Sequence, residues 1–214
     1  MKRCFTTAAA ITAAVTVLSS AAVLPARAAN IIDEWASVKM PPAPELKPVT
    51  VDPKTTALLM LDYIIPAPYC GANPRCVATL PAVKGLLTEA RAKGATVVYS
   101  VAGKYEVSDI IKDVAPAANE PWIKSKADKF LNTDLEKILK DKGVQTVIVT
   151  GYSANAGVLY TGTEAALRGL KVLVPVDVIS ANEPFEELLA VWQMAHGPGF
   201  GQLVTITKSD MIKF

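Results

Sequence analysis

The sequence predicts an α/β protein with a mostly parallel sheet of six strands between two layers of helices. Two observations predict this fold class. Short apolar segments alternate with longer amphipathic segments along the chain from residue 55 onward, as expected for strands that are each followed by a helix. The short segments are apolar throughout rather than at every second position, which is typical of strands covered on both faces.

The predicted elements follow one another with clear capping signals. The strands are Thr56–Asp62, Ala95–Val101, Trp122–Lys124, Gln145–Thr150, Lys171–Val176 and Gln202–Thr207. The helices are Pro81–Lys93, Asn132–Lys142, Gly157–Arg168 and Pro184–His196. The turn between the fourth strand and its helix contains Ser153 and Asn155, and it lies at the carboxyl end of a strand, where open α/β sheets bind ligands. Amides that open the following helix can hold an anion or an oxyanion there, so this turn is the expected floor of a site.

The first 28 residues have the pattern of a secretory signal peptide. Lys2 and Arg3 precede a long uncharged run, and Ala26-Arg27-Ala28 forms a cleavage signature. A membrane anchor is the alternative, but Pro25 and several Ser and Thr residues interrupt the run. We therefore expect export to the periplasm or the medium, with a proline-rich arm at 29–54 and a single domain at 55–214.

The charge of the exported chain argues against two classes of partner. Loss of Lys2, Arg3 and Arg27 leaves 19 of the 22 basic residues beside 20 acidic residues. The chain is then nearly neutral and has no basic patch for nucleic acid. No second apolar run is long enough to span a membrane, so we expect no membrane association after cleavage.

Two cysteines remain after cleavage, Cys70 and Cys76, with turn-forming residues between them. In an oxidising compartment this spacing predicts a disulfide that holds a loop. A zinc site would require more ligands than these two thiols and His196 supply. We expect neither a metal nor another cofactor.

Asp62 and Lys124 each stand at the end of a predicted strand. From the residues alone, Asp62 can be a turn or cap residue or a catalytic acid, and a lone Lys124 can simply be solvated. Three blocks of sequence favour the catalytic interpretation, because they resemble, in order and spacing, the isochorismatase-like cysteine hydrolase superfamily. The blocks are Asp52–Asp62, Lys124 with Phe130, Thr133 and Leu135, and Thr150–Leu159 with Ala165 and Ala166.

The resemblance implies a Rossmann-like sheet and a catalytic aspartate, lysine and cysteine. Asp62 and Lys124 match the first two positions, whereas the cysteine position is occupied by Gly157. Without a thiol no thioester can form. The superfamily branch that carries glycine here is isochorismatase itself, in which the aspartate acts on an enol ether and water completes the hydrolysis. Tyr63-Ile64 and Asn155 replace residues typical of that branch, so isochorismate is not the expected substrate.

Two functions therefore remain open. The first is hydrolysis of a small molecule by Asp62 and Lys124 without covalent catalysis, and the second is binding of a small molecule by a catalytically silent protein. We expect Asp62, Lys124 and Gly157 to converge at the carboxyl edge of the sheet, and the Tyr152–Ser153 peptide bond can be cis, as it often is in this superfamily. The loop Tyr63–Leu80 is expected to form a lid in which Tyr63 and Tyr69 contact the substrate, as Ser153 and Asn155 do from the opposite side. The sequence is compatible with a homo-oligomer and does not decide the oligomeric state.

Overall fold

The computed structural model describes residues 30–214, so the predicted signal peptide lies outside the described residues. The chain divides into two units, one ending at Pro42 and one spanning Ala43–Phe214. In the first unit, the described residues form helix α1 (Ile31–Glu34) and a 3₁₀ turn. The Asn30 side chain caps α1 by accepting hydrogen bonds from the amides of Ile32 and Asp33.

The second unit is built on a sheet of seven strands that are all parallel to their neighbours. These are β2 (Thr56–Leu61), β3 (Thr96–Ala102), β4 (Trp122–Ser125), β5 (Thr146–Tyr152), β6 (Lys171–Pro175), β7 (Ile179–Ser180) and β8 (Val204–Thr207). Six were predicted. The seventh, β7, pairs with the end of β5 and has only two residues, too few to show a periodicity.

A separate pair of short strands lies outside this sheet. Strand β1 (Val49–Thr50) is parallel to β9 (Ile212–Lys213) near the carboxyl terminus. Val49 and Val51 also pack against buried residues of the larger unit. Residues 43–54, which the sequence analysis assigned to the arm, are therefore integrated with the folded domain.

Four helices cover the two faces of the sheet and complete three layers. They are α2 (Pro74–Lys93), α3 (Leu135–Asp141), α4 (Leu159–Leu167) and α5 (Pro184–His196). Alternate residues of β2 enter different cores: Leu59 belongs to the core beneath α3, α4 and α5, and Leu58 to the core beneath α2. All six residues of β2 are buried, which explains their continuous apolarity.

The helix boundaries depart from prediction at two places that matter for the site. Helix α2 begins at Pro74 rather than Pro81, because the Asn73 side chain caps the amides of Arg75 and Cys76 and proline suits the first helical position. Helix α4 is preceded by a π-helical turn, Ala154–Val158. No helix between residues 30 and 214 combines the length and the apolar character needed to cross a membrane.

Candidate active site

The strand order places the site at the middle of the sheet. It reads β4-β3-β2-β5-β6-β8, so successive connections run in opposite directions from β2 and from β5. A crevice opens at the carboxyl ends of strands at such a reversal. Asp62 follows β2 directly, and Ser153 follows β5.

Asp62 is buried at this edge and accepts two hydrogen bonds. Its side chain is 5% exposed. The Ser100 hydroxyl donates to Oδ1 at 2.7 Å, and the Lys129 ammonium donates to Oδ2 at 2.6 Å. Lys129 has a fully buried side chain and also donates to the carbonyl oxygen of Lys126 at 2.8 Å. A buried ion pair with these additional hydrogen bonds therefore forms the floor of the crevice.

The lysine at Asp62 is not the one predicted. Lys124 lies on β4 with its side chain 41% exposed, and its ammonium pairs with Glu106 at the surface. The expectation that Lys124 meets Asp62 is wrong, because the β4 pleat turns Lys124 outward while the loop after β4 brings Lys129 inward. One sequence signal could have identified Lys129: it directly precedes Phe130, which belongs to the same motif as Lys124. Lys129 also follows Asp128, however, and adjacent opposite charges are typical of a solvent-exposed segment.

Gly157 lies beside this ion pair, as expected. A Cβ atom built on Gly157 would be 3.5 Å from the Tyr152 carbonyl oxygen, 3.6 Å from Lys129 Cε and 3.8 Å from Asp62 Oδ2. These are ordinary contact distances, so the backbone leaves room for a small side chain at this point. The Tyr152–Ser153 peptide bond is cis, as predicted.

The pocket above the pair has a volume of about 420 Å³, the size of a small-molecule site. Asp62, Gly157, Ser153 and Tyr69 line it, four of the residues predicted from the sequence. The Tyr69 ring packs edge-on against the ring of Tyr152, with 6.4 Å between centroids. Burial, and then the negative charge of Asp62, raise the pKa of Tyr69, so its hydroxyl stays protonated at neutral pH.

Two predicted contact residues do not line the pocket. Tyr63 is 1% exposed and points into the core beneath α2, where its hydroxyl donates to the Val178 carbonyl oxygen at 2.9 Å. Asn155 lies in the π-helical turn, and its side-chain oxygen accepts a hydrogen bond from the Ser153 hydroxyl at 2.9 Å. Tyr63 is thus a core residue, and Asn155 acts on the pocket only through Ser153.

The wall formed by the loop after β2 is held at both ends. Cys70 and Cys76 form the predicted disulfide, which joins this loop to the first turn of α2. Tyr105 donates to the Ala67 carbonyl oxygen at 2.7 Å, and its ring packs edge-on against Tyr69. Because α2 starts at Pro74, the wall is shorter than the predicted lid and more firmly attached.

Metal ligands do not cluster in the part of the chain that the structure describes: no three His, Cys, Asp or Glu side chains lie close enough together to hold an ion. A second cavity, of about 470 Å³, lies at the opposite edge of the sheet near Arg91 and Thr96. There Arg91 pairs with Glu120 and donates to the Tyr99 hydroxyl, so these two charges already have partners. The chemistry is therefore concentrated at Asp62.

Comparison with known proteins identifies the family and agrees with the fold. The isochorismatase domain model matches residues 56–208. The chain belongs to the isochorismatase family. Proteins of this family act on small molecules. The chain also has the fold of a solved N-carbamoylsarcosine amidase from Thermoplasma acidophilum. That structure has a TM-score of 0.62 and 22% identity, and the match covers 73% of this chain and 97% of the other.

Other isochorismatase-family proteins are similarly related. A Desulfovibrio vulgaris family member has a TM-score of 0.64 and 20% identity, over 73% of this chain and 95% of its own. An uncharacterised family protein of Bacillus subtilis, YaaI, is 33% identical over 40% of this chain and 48% of its own length. The secreted isochorismatase effector Isc1 of Verticillium dahliae is 28% identical over 50% of this chain and 62% of its own length. This chain thus matches about half to three-fifths of these two curated relatives, and the solved structures establish the fold.

Proposed function

We propose that this protein is an exported hydrolase of a small molecule, in which Asp62 transfers protons and Lys129 stabilises negative charge, without a covalent intermediate. The observation that carries the proposal is the buried Asp62–Lys129 ion pair at the floor of the pocket. Gly157 leaves an unfilled position beside the same pair. The buried ion pair, the pocket and the open space at Gly157 are therefore adjacent to one another.

The ion pair is better explained by chemistry than by folding. Removing two charges from water costs several kcal/mol for each ion, and a well-packed apolar pair of similar volume is often as stable. The Asp62–Lys129 pair lies at a strand-order reversal and Asp62 lines a pocket there, which supports a catalytic role.

The geometry supports hydrolysis by direct attack of water. A water molecule in the space at Gly157 lies within reach of Asp62 Oδ2, which accepts its proton while its oxygen attacks the substrate. Lys129 stabilises negative charge that develops on the substrate, and the amides of Ser153 and Gly157 can add to this. Asp62 then returns the proton to the leaving group, so one water molecule is consumed for each bond cleaved.

Export rests on independent arguments. The signal-peptide pattern of residues 1–28 predicts it, and the Cys70–Cys76 disulfide fits an oxidising compartment. Isc1, a relative, is itself described as secreted. The periplasm or the medium is accordingly the proposed location.

The test is a screen of the purified chain without residues 1–28 against amides, esters and enol ethers. We expect one class to be hydrolysed and Asp62→Asn to lower kcat by about 10²- to 10⁴-fold, the usual contribution of a positioned acid or base. Lys124→Met is the matched control, and its rate should stay within about twofold of wild type because Lys124 pairs only at the surface. Equal rates for wild type and Asp62→Asn would contradict the proposal.

The second candidate, a silent binding protein, is favoured by one observation. In the described region, the pocket has no thiol, because the two cysteines are buried and bonded to each other. This candidate predicts that small molecules raise the melting temperature while none of the three substrate classes is turned over. Turnover that depends on Asp62 would exclude it.

A further inference from the structure

Ser125 is a buried residue of the pocket with an unused hydroxyl. It is the last residue of β4 and is 9% exposed. Its Oγ is one of two buried side-chain polar atoms among residues 30–214 that have no hydrogen-bond partner, the other being Ser180 Oγ. Buried hydroxyls nearly always have a partner, so each exception requires an explanation.

The two serines differ in one respect that matters. Ser125 lines the pocket that contains Asp62, and Ser180, on β7, is not among the lining residues. Ser125 Oγ itself has almost no accessible area, so a rotation about the Cα–Cβ bond would be needed to present the hydroxyl to a molecule in the pocket. Ser180 offers a natural comparison, since it has the same side chain and the same lack of a partner.

The register of the sheet sets where this hydroxyl lies relative to the reacting bond. Leu61 is opposite Ser100 on β3, and Ala102 is opposite Ser125 on β4. Asp62 and Ser125 are thus two strands apart, about 10 Å between Cα atoms at the usual strand spacing. Ser125 is too far along the edge to join proton transfer and close enough to hold another part of the same small molecule.

The segment that follows Ser125 connects it to the ion pair. Lys126 also lines the pocket, and its carbonyl oxygen accepts a hydrogen bond from the Lys129 ammonium. The Lys126 side chain makes no ion pair with any described residue. Ser125 and Lys126 therefore both lie at the β4 side of the pocket, and both side chains carry a group that can donate to an oxygen atom.

We propose that Ser125 is a specificity-determining residue whose hydroxyl donates to an acceptor oxygen of the substrate, distant from the bond cleaved at Asp62. This inference rests on the proposed function only in calling the bound molecule a substrate. In a silent binding protein the same contact would hold the ligand. The ligand class is a small molecule with a polar oxygen, either an anionic carboxylate or a neutral hydroxyl or amide oxygen, at one end.

The experiment measures binding separately from turnover. Melting temperature is recorded for wild type, Ser125→Ala and Ser180→Ala with a panel of probes at millimolar concentration: acetate, benzoate, lactate, benzamide and benzyl alcohol. We expect at least one probe to stabilise wild type and Ser180→Ala alike, and to bind Ser125→Ala about tenfold more weakly, as expected for one lost hydrogen bond. A preference for benzoate over benzamide and benzyl alcohol would assign the oxygen as anionic, and equal binding would assign it as neutral.

Stability without probes provides the second readout. Since neither hydroxyl has a hydrogen-bond partner among residues 30–214, both alanine variants should melt at or above the wild-type temperature. Equal probe binding by wild type and Ser125→Ala, no probe binding by wild type, or a marked loss of stability in Ser125→Ala would each overturn the inference. For a substrate found in the hydrolysis screen, Ser125→Ala should raise KM and leave kcat nearly unchanged. Failure of Asp62→Asn to affect turnover would instead refute the proposed function and leave the Ser125 binding result intact.

Discussion

Replacing Lys129 with methionine separates the lysine that the fold places at Asp62 from the lysine that the motif suggested. Methionine keeps most of the apolar stem and removes the ammonium. The Asp62 carboxylate then stays buried with only the Ser100 hydroxyl as a hydrogen-bond donor among the contacts described above. Removing one partner of a buried ion pair costs about 3 to 5 kcal/mol.

This magnitude needs no reduction for solvent screening, because the two side chains are 0% and 5% exposed. For a domain of this size, 1 kcal/mol shifts the melting temperature by roughly 2 to 4 °C. Lys129→Met should thus melt about 6 to 20 °C below wild type. Lys124→Met removes only an exposed pair with Glu106, worth about 0 to 1 kcal/mol, and should melt within a few degrees of wild type.

Thermal unfolding followed by circular dichroism measures both variants, and a double variant completes the cycle. Asp62→Asn combined with Lys129→Met removes both charges, so it should recover much of the stability that Lys129→Met alone loses. Asparagine also suits the positive φ of 53° at this position. A Lys124→Met loss as large as that of Lys129→Met, or no recovery in the double variant, would refute the assignment of Lys129.

Two further predictions concern the pocket. Gly157→Cys should fold with nearly wild-type stability, since its Cβ meets no atom closer than 3.5 Å, and it should gain a thiol that iodoacetamide labels without gaining natural activity. Improved turnover, or labelling of the oxidised wild-type protein, would count against non-covalent hydrolysis. Cys70→Ser with Cys76→Ser should cost about 2 to 3 kcal/mol, the loop-entropy value for so short a ring, and should weaken probe binding more than it lowers the melting temperature. Unchanged binding with a large loss of stability would show that the disulfide supports the fold and not the pocket wall.

The sequence predicted an element correctly where its local capping pattern and its tertiary contacts favour the same boundary. Helix α5 has the predicted bounds, because proline at its start and glycine after its end mark both termini. Helix α2 does not, because it begins at Pro74, where the Asn73 side chain caps its first amides, rather than at the predicted Pro81. Strand β7 could not be predicted, since its two residues are a strand only through pairing with β5.

The sequence by itself determined the parallel sheet, the family resemblance, the position of Asp62 after the first long strand, and the cysteine pair. Each of these depends on residue type and on spacing along the chain. Only the tertiary structure decided which lysine meets Asp62, that Tyr63 belongs to the core, and that the Ser125 hydroxyl has no hydrogen-bond partner in the described part of the chain. These depend on which face of a strand or loop a side chain occupies. A change of one residue in register reverses that face, and the sequence motif alone does not fix the register at the end of a four-residue strand.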